Sequence, residues 1–84
     1  MKVRKRTEFG QYIVADPKIC HGQLTFKGTR ILVADVLSLL SKGWEWNRIS
    51  AAYDDHLSRE AIAEAIEIAR ESLVNRVEKR RRAA

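Results

Sequence analysis

The sequence predicts a mainly α fold with a short β element and a long C-terminal helix. Three observations predict it. Short apolar runs alternate with glycine and proline up to Leu32, apolar residues recur at helical spacing from Val33 onward, and neither glycine nor proline occurs from Arg59 to the end. The 84 residues suffice for one core, hence one domain. A chain this short buries only about 60% of its unfolded surface, so a partner surface is expected. Its parts are a basic N-terminal arm (1–10), a single domain (11–78) and a basic C-terminal tail (79–84).

Tyr12 to Ala15 is a strand candidate ended by Asp16-Pro17, because proline fixes φ and lacks an N–H. Leu24 to Phe26 and Arg30 to Leu32 are a second and third strand around the Lys27-Gly28-Thr29 turn. From Val33 the period becomes helical: Val33, Val36, Leu37 and Leu40 share a face, Asp35 suits the helix dipole, and Gly43 supplies the stop. A second helix, Glu45 to Tyr53, sets Trp46, Ile49, Ala52 and Tyr53 against the core and Asn47, Arg48 and Ala51 away from it. Trp44 and Trp46 lie about 200° apart on a regular helix, so at least one is expected in the core and the other as either a core lid or an exposed anchor.

Ser58 is an N-cap for a third helix of about 20 residues, roughly 30 Å long. Its stripe of Ile62, Ile66, Ala69, Leu73 and Val77, with Ala61, Ala65, Ile68 and Ser72 beside it, is wider than the ~100° that one core needs. The surplus predicts a homodimer or partner interface through Ile62, Ile66, Ile68, Ala69, Leu73 and Val77. The opposite ridge of Glu60, Glu64, Glu67, Glu71 and Glu78 has the form of a solvated face.

The net charge of +5 conceals an uneven distribution. Lys2, Arg4, Lys5 and Arg6 open the chain and Lys79, Arg80, Arg81 and Arg82 nearly close it, whereas the body between them holds 8 basic and 11 acidic residues. Any nucleic-acid contact is therefore expected from the two basic ends, with Asn47 and Arg48 as the side chains in the body best shaped to reach base edges. No apolar run approaches the roughly 18 residues of a membrane span, and the lone Cys20 cannot form an internal disulfide. A cytoplasmic protein without a membrane role is expected.

Catalysis is not expected. Cys20, His21, His56, Asp54 and Asp55 are metal-ligand types, but the spaced pairs of a zinc site are missing, and nothing orients Cys20 and a histidine as nucleophile and base. The Gly28-Thr29-Arg30 turn lacks the further glycines and the Lys-Ser/Thr of a phosphate loop, so it reads as a structural joint. Neither a metal, a cofactor nor a small-molecule substrate is expected.

Asp16-Pro17, Gly22, Gly28-Thr29-Arg30, Val33, Leu37, Gly43, Ile49, Tyr53, Leu57-Ser58, Ile62 and Ala65 together resemble the small bacterial family called domain of unknown function 433. The resemblance runs from about Tyr12 to Ala69, departing from it at Gln23-Leu24 and in the basic extensions. It implies a helix-turn-helix-like three-helix body with a short β element, winged-helix-like. It also implies a role like that of VapB antitoxins: binding and neutralising a PIN-like ribonuclease toxin by occlusion, and binding operator DNA as a dimer. Two frames exist for a DNA-contacting pair of helices. The second and third helices are joined through Asp54-Asp55, which is poor equipment for DNA; the first and second, with Gly43 in the turn, expose Asn47, Arg48 and Ser50 and are preferred. The alternative is a protein-interaction or dimerisation module with no nucleic-acid role, which the acidic body equally fits.

Overall fold

Ile13, Val14 and Ala15 are consecutive apolar residues, as a strand buried on both faces requires, and all three are buried in strand β2 (Ile13–Ala15). The computed structural model, which describes residues 5–83, makes β2 the centre of a three-stranded antiparallel sheet. Its neighbours are β1 (Thr7–Glu8) and β3 (Leu24–Phe26), with Glu8 opposite Val14 and Ile13 opposite Phe26. Asp16 closes β2 as expected of Asp-Pro: its carbonyl accepts the Ile19 N–H at 2.9 Å and its carboxylate the Lys18 N–H at 2.9 Å.

Two strand expectations are revised. Residues 7–8, read as part of a basic arm, form the edge strand β1. Being exposed on every side, it has no apolar pattern to betray it, and ion pairs of Glu8 with Lys27 (3.0 Å) and Arg6 (2.8 Å) accompany it. The strand expected at Arg30 to Leu32 reduces to one bridge, Thr25 with Leu32, and one bond from the Phe26 N–H to the Ile31 carbonyl, because the first helix starts at once.

Helix α1 (Val33–Ser41) ends in a Schellman turn: the Gly43 N–H reaches the Leu40 carbonyl and the Trp44 N–H the Leu39 carbonyl, with Gly43 at φ +89°. A side chain at that φ would be strained, so the expected stop is the one observed. Helix α2 (Trp46–Ala52) follows, then α3 (Arg59–Ala83), whose first turn is capped by Ser58 Oγ accepting the Ala61 N–H at 3.1 Å. The described residues thus form three α-helices, one 3-10 turn (Cys20–Gly22) and a small antiparallel sheet.

One core joins sheet and helices through Ile13, Phe26, Val33, Val36, Ile49, Leu57, Ala61, Ile62 and Ala65. Full burial of each larger aliphatic there contributes about 1.5–3 kcal/mol. Among the described residues no helix is long and apolar enough to cross a membrane.

Candidate interaction surface

Helix α3 has two halves with different surroundings. As far as Ala69 its apolar residues, apart from the exposed Ala63, are buried or half-buried, but every residue from Arg70 to Arg82 is exposed. At ~1.5 Å per residue the exposed half extends about 20 Å beyond the body. Within it Leu73, Val74 and Val77 are 61%, 46% and 45% exposed, and three of the five large hydrophobics most exposed in the described structure thus lie on one short helical arm.

The interface expected along α3 is correspondingly redistributed. Ile62 is wholly buried in the core of its own chain, and Ile66 and Ile68 pack against that core, so these three serve folding first. Ala69 is half-buried at the boundary, leaving Leu73 and Val77 exposed as expected. Val74 joins them, missed in the sequence because it sits off the stripe.

Arm residues 70–82 include six cations (Arg70, Arg76, Lys79, Arg80, Arg81 and Arg82) and two acids, Glu71 and Glu78, for a net charge of +4. The basic end continues α3 as its last turns, where cations complement the helix dipole. Arg81 pairs with Glu78 at 3.5 Å and Arg70 with Glu67, whose carboxyl is held below the usual range by that hydrogen bond. Among the described residues Arg76, Lys79, Arg80 and Arg82 have no carboxylate partner.

The acidic ridge is not uniformly solvated. Glu64 turns inward to the sheet, accepting the Gln11 N–H at 3.0 Å and the Tyr12 N–H at 2.8 Å. At the N-terminal end, Lys5 and Arg6 are exposed, and Arg6 is engaged by Glu8 and, at 3.8 Å, Asp16; Lys2 and Arg4 lie outside the described residues.

Asn47 and Arg48 are exposed on α2 as expected, but Arg48 lies over the Trp44 ring, 3.7 Å from its centroid. Arg59, at the start of α3, covers the Trp46 ring at 5.1 Å. Both tryptophans are half-buried against the core, so the second is a lid on it and not an exposed anchor. Trp44 precedes α2 rather than belonging to it, so the helical angle between the two does not apply. From Glu45 to Glu64 this side carries five acids and two arginines, a balance that repels phosphate.

The Gly28-Thr29-Arg30 turn is held by its own hydroxyl: Thr29 Oγ donates to the Phe26 carbonyl at 2.8 Å and accepts the Ile31 N–H at 3.0 Å. Gly28 supplies φ +76°. Arg30 is exposed, and the Cys20 thiol donates to its carbonyl at 3.7 Å. Among the described residues no group of three or more His, Cys, Asp or Glu side chains is placed to hold a metal ion. A separate open groove of about 520 Å³ lies between β3 and the start of α1, walled by Leu24, Leu32, Val33, Ala34 and Leu37 with Asp35 at its margin.

A family model described as "Protein of unknown function (DUF433)" matches residues 13–69. The matched span stops where α3 leaves the body, so the arm lies beyond it. No curated protein matches the chain, and no solved structure matches it.

Proposed function

The chain belongs to the DUF433 family, and from that premise we propose that it is an antitoxin-like binding protein that holds a PIN-like ribonuclease toxin by occlusion and has no chemistry of its own. The observation that carries this reading is the exposed half of α3. Leu73, Val74 and Val77 offer an apolar ridge flanked by cations, the form in which a helix enters a groove on another protein. The body beneath it, read as a helix-turn-helix of the winged-helix kind, is the platform that aims the arm.

Operator binding in this reading belongs to the dimer and to the basic ends: Lys5 and Arg6 at one, Arg80, Arg81 and Arg82 at the other, together with Lys2 and Arg4, and with Asn47 and Arg48 as the contacts from α2. Phosphate attraction is strongest at the end of α3, where most of the cations lack carboxylate partners. The alternative, a protein-interaction module with no nucleic-acid role, draws its support from the acidic excess between Glu45 and Glu64.

Co-expression tests the toxin half. The full chain should relieve the toxicity of a PIN-like nuclease encoded beside it, and Leu73→Glu with Val77→Glu should abolish relief while leaving the helical circular dichroism unchanged. Absence of relief by the full chain overturns the toxin reading. DNA retention that persists at low salt after Arg80, Arg81 and Arg82 are changed to Gln would remove the arm from operator binding.

A further inference from the structure

The arm and the β3–α1 groove are two unpartnered surfaces of opposite form on one chain. The arm is a ridge of Leu73, Val74 and Val77; the groove is apolar between Leu24, Leu32 and Leu37. Their charges also correspond. Arg70 and Arg76 stand three residues either side of Leu73, on the same side of the helix, while the one charged group lining the groove is Asp35, which has no ion-pair partner among the described residues.

The arm cannot fold back into the groove of its own chain. Sharp helix bends arise at proline, glycine or an inserted group, and α3 contains neither Gly nor Pro over its 25 residues. Nor do two arms suit one another, because side-by-side association sets +4 against +4 and leaves three apolar side chains per copy to oppose the repulsion.

We propose that the arm of one copy seats in the β3–α1 groove of a second copy, and the arm of the second in the groove of the first. The reciprocal exchange closes after two copies, as a contact between unlike surfaces must if it is not to grow into a filament. It also doubles the area, which a stable pair needs, since specific interfaces bury about 1,200–2,000 Å² in total. Leu24, 37% exposed in the single chain, is covered by the incoming Leu73 or Val77. The inference rests on the reading of the arm as a binding surface, and it names what that surface holds when no other protein is present.

Complementation between two variants tests it. Leu73→Glu spoils the arm and leaves the groove intact; Ala34→Arg, at an exposed position on the first turn of α1, blocks the groove and leaves the arm intact. Light scattering of the full chain should give twice the 9.7 kDa chain mass. Each variant alone should associate at least about tenfold more weakly, and an equimolar mixture should regain dimers through the one remaining arm–groove contact. Asp35→Arg, also exposed, is a second groove variant that must behave as Ala34→Arg does, with circular dichroism confirming that each variant folds. A monomeric wild-type chain overturns the proposal, as does a groove variant that stays dimeric while Leu73→Glu does not, since the arms would then pair with each other. A monomer that still relieves toxicity would remove this inference and leave the antitoxin reading standing.

Discussion

Glu64 on α3 accepts the backbone N–H of Tyr12 at 2.8 Å, and through its other oxygen that of Gln11, across 52 and 53 positions of sequence. The carboxylate thereby ties the long helix to the β1–β2 turn. Gly10 is shaped to admit it: a Cβ there would stand 2.7 Å from the carboxylate, at φ +131°. Hydrogen bonds to a charged group contribute about 1.5–3 kcal/mol, so Glu64→Ala should cost about 2 kcal/mol. That corresponds to a fall of roughly 10 °C in melting temperature for a domain of this size. Gly10→Ala should be destabilising alone and less so on top of Glu64→Ala, because removing the carboxylate relieves the clash but not the φ strain. Strict additivity in that double-mutant cycle would refute the tie.

Thr25 carries the opposite imbalance. Its side chain is completely buried in β3, and its hydroxyl has no hydrogen-bond partner among the described residues. A hydroxyl left unsatisfied out of water is a desolvation cost of about 1–3 kcal/mol. Thr25→Val keeps the shape and the β-branching, so it should stabilise the fold by about 1 kcal/mol, read as a higher denaturant midpoint at unchanged slope. A lower midpoint would mean that the hydroxyl is satisfied in solution.

Glu8 gives the sheet edge a dependence on pH. The hydrogen bond and charge of Lys27, and secondarily of Arg6, hold its carboxyl below the ordinary glutamate range. A depressed folded value means that the stabilisation is present above the unfolded pKa and is lost as pH falls through the folded one. Wild type should therefore lose stability faster than Glu8→Gln on acidification below the normal glutamate pKa, and the difference should shrink in high salt, since the pair is exposed. Nuclear magnetic resonance titration of Glu8 at an ordinary value would contradict this.

What was legible in the sequence and what was not separate along physical lines. Ser58, Gly43 and Asp16-Pro17 act locally, through a cap, a left-handed residue and a fixed φ, and each operates where the residue types alone place it. The edge strand β1 is set by pairing with β2 and by ions from Arg6 and Lys27, neither of which leaves an apolar signature. Glu64 belongs to an i, i+4 row of glutamates that looks solvated from sequence, and only the approach of residues 10–12 distinguishes it from Glu60. The same applies to α3: periodicity revealed one stripe, but where the body ends beneath it is decided by how far the sheet and α1 extend.

That division of α3 yields the sharpest test of the arm. Ile62 and Leu73 occupy the same stripe, yet Ile62 is fully buried and Leu73 is 61% exposed. Ile62→Ala removes buried methylenes from the core and should cost about 2–5 kcal/mol. Leu73→Ala falls at an exposed position outside the core of the single chain and should change stability by no more than about 0.5 kcal/mol. The comparison must be made at dilution, because any dimer adds apparent stability by mass action. If the two substitutions cost the same in dilute monomer, residues beyond Ala69 pack on the body and the arm is no free surface. If they differ as expected, any loss of partner binding in the Leu73 variant is a loss of contact, because the fold that presents the contact is unchanged.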